Sequence, residues 1–79
     1  MPTLLRIRGF RVFFFSNEGT EPPHVHVRKG DGVAKFWLGP IKLAVNDGFK
    51  KSELQIIIKI LEEHEAELIR KWNEIEQAT

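Results

Sequence analysis

Polar and apolar side chains alternate strictly over His24-Val25-His26-Val27-Arg28. Neighbours in an extended strand point to opposite faces, so His24, His26 and Arg28 share one face and Val25 and Val27 the other. The same reading lays strands over Thr3 to Ile7, Phe10 to Ser16, His24 to Lys29 and Val33 to Leu38. The breaks between them are turn chemistry: Arg8-Gly9, a loop ending in Pro22-Pro23, and Gly30-Asp31-Gly32. Gly39-Pro40 ends the fourth strand. Residues 41–45 fit a short fifth strand or a helical turn equally well. After the Asn46-Asp47-Gly48 turn the period changes. Ser52 is a suitable N-cap, and Glu53 to Gln77 contains neither Gly nor Pro. One helix over about 52–77 is predicted.

At 100° per residue Leu54, Ile57, Ile58, Leu61, Leu68, Ile69, Trp72 and Ile75 form one apolar stripe. Its counterpart on the strands is Leu5, Ile7, Phe10, Val12, Phe14, Val25, Val27, Ala34, Phe36 and Leu38. The fold class that follows is α+β: an antiparallel sheet of four or five strands, about 3–38, packed on one face by a long C-terminal α-helix. Three features sit badly with that picture. Glu65 projects from the stripe, Ile56 and Ile60 lie on the side meant for water, and a helix of about 38 Å overhangs strands of about 20 Å. Ile56, Ile60, Trp72 and Ile75 are therefore candidate partner-binding residues.

The chain has 79 residues and no cysteine, which suits one small domain over 1–79 without disulfide or thiolate-metal support. No apolar run is long enough for a signal peptide or a membrane span, so a cytoplasmic protein is expected. The net charge of +1 hides an asymmetry. Residues 1–45 carry seven Lys/Arg against three Asp/Glu, and residues 46–79 five against eight. The basic half fits an anionic partner, and the opposite charges also suit a homo-oligomer.

On the sheet face left free by the helix this register places Arg6, Arg8, Arg11, Phe13, Phe15, His24, His26, Arg28, Lys35 and Trp37. Cations that follow phosphates and rings that stack on bases are the equipment of single-strand binders. Arg6, Arg8, Arg11, Phe13, Phe15 and Trp37 are thus candidate nucleic-acid contacts. His24 and His26, about 7 Å apart along the strand, admit three roles. They can be an acid/base pair for cleaving an RNA phosphodiester, with Arg28 and Lys35 steadying the phosphorane charge. They can be metal ligands completed by Glu21 or His64, since zinc takes three or four protein ligands. They can equally be polar face residues bonded to a partner or to the Pro-Pro loop. A ribonuclease, a non-catalytic interaction module and a metal-binding domain all stay open, and no cofactor is indicated.

Glu21-Pro22-Pro23-His24-Val25-His26-Val27, followed by Ala34-Lys35-Phe36-Trp37-Leu38 and by Gly48-Phe49 before a Glu/Leu-rich helix, resembles a small bacterial family with a domain of unknown function, DUF4160. The resemblance spans nearly the whole chain. Relatives often carry an acid just before the proline that ends the fourth strand, where this chain has Gly39. The resemblance implies a toxin-like member of a two-gene, toxin–antitoxin-type module with a cognate small protein as partner. It also implies a shared site at Glu21, His24, His26, Lys35 and Trp37.

Overall fold

The computed structural model describes residues 3–14 and 21–78, those at 3–4 and 75–78 by their backbone. Five antiparallel strands form a meander in sequence order: β1 (Thr3–Ile7), β2 (Phe10–Phe13), β3 (His24–Lys29), β4 (Gly32–Trp37) and β5 (Lys42–Asp47). Two helices follow, α1 (Lys51–Glu63) and α2 (Glu65–Ala78). The α+β class with one covered sheet face is what the alternation predicts. Residues 42–47 settle as a strand, paired with β4 around an irregularity in register at Lys35/Phe36.

The hairpin chemistry reads directly from the backbone. Ile7 faces Phe10 across a two-residue turn in which Arg8 (φ 54°) and Gly9 (φ 82°) are both left-handed, the pattern that matches strand twist. Gly32 is needed for another reason. A Cβ there would stand 2.8 Å from the Phe49 ring. Phe49 is held in place by Asn46, whose side chain accepts from the Phe49 N–H and donates to its carbonyl.

The core contains the strand residues foreseen, from Phe10 and Val12 through Val25, Val27, Ala34 and Phe36 to Leu38, against Ile57, Leu61, Leu68 and Trp72. Ile60 joins them at 7% exposure, which corrects its assignment to the watery side. Ile56 remains exposed at 38%. At 300° around the helix from Ile57, Ile60 is at the border of the stripe, where it joins the core cluster beside Ile7.

The single long helix is also corrected. Its cap lies two residues earlier than Ser52: Lys50 is the N-cap, and its N–H donates to the Glu53 carboxylate at 3.0 Å. It stops at His64. There the backbone N–H bonds to the Leu61 carbonyl, one residue short of the α pattern, and the imidazole Nδ1–H takes the Ile60 carbonyl that this leaves over, at 2.9 Å. A side chain thus replaces a backbone donor at the break. Thirteen residues of α1 span about 20 Å, and Ile56, Lys59, Ile60 and Glu63 along it line a cavity with Ile7 and Arg8 at the first hairpin.

Glu65 is what fixes α2 beyond the break. Its Oε2 accepts from the Gly39 N–H at 2.9 Å, so the acid that interrupts the apolar stripe tethers the helix to the turn after β4. Trp72 does not overhang. At 4% exposure it packs edge-on against Phe14, with ring centroids 5.3 Å apart. The side chain of Ile75 lies outside the described residues.

Candidate nucleic-acid interface

Strand register sorts the outward face into three cross-strand rows. The first is Arg6 on β1, Arg11 on β2 and Arg28 on β3, each directly opposite the next, continued by Val33 and Asp47. The second is Phe13, His26, Lys35 and Val45, and the third His24, Trp37 and Lys42. Directly opposed residues are about 5 Å apart and successive same-face rows about 7 Å. Three arginines therefore stand side by side across three strands, with the Arg11 guanidinium over the Phe13 ring of the second row. Like charges in opposed positions oppose folding, so this row is arranged at a cost to stability.

The face is not uniformly open. Its arginine end carries exposed Arg6 and Arg28, with Arg8 exposed in the adjoining turn. Its histidine end is closed. His24 is 0% exposed. Its ring lies 4.9 Å from that of Trp72, 5.7 Å from Trp37 and 5.4 Å from His26. The reason is α2. Phe14 directly follows β2 and His24 begins β3, so an indole resting on both sits over the rim of the sheet and covers His24 from the side. The expectation that His24 looks out beside the arginines is thereby overturned.

The buried imidazole is held by its loop. Its Nδ1 lies 2.9 Å from the Pro22 carbonyl. A carbonyl can only accept, so Nδ1 carries the hydrogen. Nε2 faces Glu21, whose Oε1 is 3.7 Å away. The Pro-Pro segment is fixed in turn by the Leu38 N–H donating to the Pro23 carbonyl at 2.9 Å. The same Glu21 oxygen accepts from Lys35 Nζ at 2.8 Å, and that ammonium lies 4.6 Å above the Trp37 ring.

His26 is half-buried and stacks on Phe13 at 5.6 Å with an interplanar angle of 25°. The Arg11 guanidinium lies 5.0 Å over the same Phe13 ring. Phe13, at 4% exposure, is therefore a support beneath His26 and Arg11, which corrects its reading as a base-stacking platform. Phe15 lies outside the described residues. Trp37 is half-buried and Lys35 half-buried above it.

Structure thus brings Glu21, His24, His26, Lys35 and Trp37 into one contiguous cluster, while Arg6, Arg11 and Arg28 form a separate row along the same face. Among the described residues no three His, Asp or Glu side chains are grouped to hold a metal ion. The ligand set of Glu21, His24 and His26 is not assembled, and His64 is engaged at the helix break. Sequence reasoning missed the covering role of Trp72 and the tether at Glu65. For Glu65 the signal was present, as an acid inside an apolar stripe; its partner, a backbone N–H at Gly39, has no side-chain signature.

Exposed apolar side chains lie at the β5 edge, where Val45 faces Lys35, and on α1. Leu43 and Val45 stand out from the edge strand β5, and Ile56 from α1. Among the described residues no helix is long and apolar enough to cross a membrane. No curated protein and no solved structure matches the chain. A family model matches residues 9–73, which takes in the arginines at 11 and 28, the whole Glu21–Trp37 cluster and Trp72. The chain belongs to the family described as domain of unknown function DUF4160.

Proposed function

We propose that this protein binds single-stranded RNA across the outward face of its sheet, as the toxin-like member of the two-gene module that the family resemblance implies. The row Arg6–Arg11–Arg28 carries the reading. Three cations in register at about 5 Å spacing oppose folding and suit a run of phosphates. His26 and Lys35, one row further along the strands, extend the basic track toward Trp37. Cleavage by a pair of imidazoles is not supported, because a fully buried His24 cannot reach a phosphodiester. His26 is the imidazole that meets a bound strand, and His24 supports it from below.

Fluorescence anisotropy of a labelled oligouridylate, read at several salt concentrations, tests this. Three phosphate contacts give a log–log salt slope of about −2, and Arg6→Gln or Arg28→Gln each reduces its magnitude by about 0.7. Absence of binding at low salt, or a slope that ignores both substitutions, refutes the reading.

A second reading rests on the exposed Leu43, Val45 and Ile56: a protein-interaction module that oligomerises or docks a cognate small protein. It predicts self-association or partner capture that is insensitive to the arginine substitutions.

A further inference from the structure

We propose that the Glu21 carboxylate occupies, in the free protein, the place that an RNA phosphate takes at Lys35, and so acts as a built-in competitor for the nucleic acid. The inference rests on the RNA-binding reading and deepens it. Lys35 stands in the second row of the outward face, between His26 and Val45. Its Nζ donates to Glu21 Oε1 at 2.8 Å while lying 4.6 Å above the Trp37 ring. One cation is thus shared between a carboxylate and an aromatic face.

The pair is partly open. The Lys35 side chain is 19% exposed and that of Glu21 43%, so solvent screens their attraction. A polyanion following the arginine row reaches Lys35 about 7 Å further along the strands and competes for the ammonium with a doubly oxygenated group of the same charge sign as Glu21. When phosphate draws Nζ away from the indole, the covered face of Trp37 becomes accessible to a base. The edge-on contact with His24 holds the ring in place from the other side. Charge exchange at Lys35 and base stacking at Trp37 are then one event. Glu21 itself stays 3.7 Å from the His24 Nε2.

The test is a double-mutant cycle on oligouridylate binding. Glu21→Gln tightens binding about three- to fivefold in the wild-type background, the range a partly exposed ion pair supports. The same substitution has no effect in a Lys35→Met background, which keeps the stem over Trp37 and removes the charge. The Trp37 indole N–H, followed by NMR, shifts on adding RNA to the Glu21→Gln protein at lower concentration than in the wild type. An equal tightening in both backgrounds means a general loss of negative charge and overturns the proposal. So does unchanged or weaker binding by Glu21→Gln when the wild type binds. If neither protein binds at low salt, the RNA-binding reading falls and the competitor falls with it. Binding by Glu21→Gln alone refutes the RNA-binding reading for the native protein, and the competitor falls with it.

Discussion

Replacing His24 by alanine separates a supporting role from a catalytic one. The imidazole is fully buried, bonded to the Pro22 carbonyl and packed against the rings of Trp72, Trp37 and His26. Losing the hydrogen bond costs about 1 kcal/mol. The cavity left among three rings adds about 2 kcal/mol, toward the low end for a large-to-small change in a core. Together these make about 3 kcal/mol, against a total stability of about 4–12 kcal/mol for a chain of this size. In a domain of 60–100 residues each kcal/mol shifts Tm by about 4–8 °C, so the drop is at least about 12 °C. His26→Ala provides the comparison. That ring is half-buried and its stacking on Phe13 is worth about 1 kcal/mol, so Tm falls by about 4–8 °C. Thermal melts followed by circular dichroism, with urea titrations for the slope, measure both. A His24→Ala protein that melts within a few degrees of His26→Ala would show that His24 is not part of the packed interior. The covered-histidine account of this site would then be wrong.

Two further substitutions test the packing. Gly32→Ala drives a methyl to 2.8 Å from the Phe49 ring, which is buried against Phe10 on a backbone that Asn46 holds; calorimetry should show a loss of about 1–3 kcal/mol. Ile60→Ala should cost about 2–4 kcal/mol in urea titrations and Ile56→Ala under about 1, the reverse of what equal placement on a solvent face requires.

Where side chains alternate along a strand, the sequence determines the face each one takes, and here it does so in the described strands β1 to β4. Two-residue turns at Arg8-Gly9 and Gly30-Asp31 pin the register, and the arginine row follows from that register alone. The burial of His24 does not. It depends on where the C-terminal helix breaks, with a histidine donating to Ile60 and a carboxylate bonded to a backbone N–H at Gly39. None of these has a periodic signature. Ile60 was misplaced for a related reason: the helical wheel gives an angle but not what packs at the border of the stripe. Glu21, His24, His26, Lys35 and Trp37 were foreseen as one site by resemblance, and the structure makes them neighbours through direct contacts. Phe13 and Trp72 belong to the same neighbourhood as supports, a role composition cannot distinguish from a binding surface.

The break at His64 turns α1 into a ruler. Thirteen residues separate the Lys50 cap from the His64 stop, and the residue after the stop is the one that reaches Gly39. Adding a single residue before the stop would rotate α2 by about 100°, taking Glu65 from its backbone partner and Trp72 from the imidazole it shelters. Insertions and deletions between Lys51 and Glu63 should therefore be far more damaging than their own exposed positions suggest, with the damage felt at the opposite end of the molecule, beside Glu21.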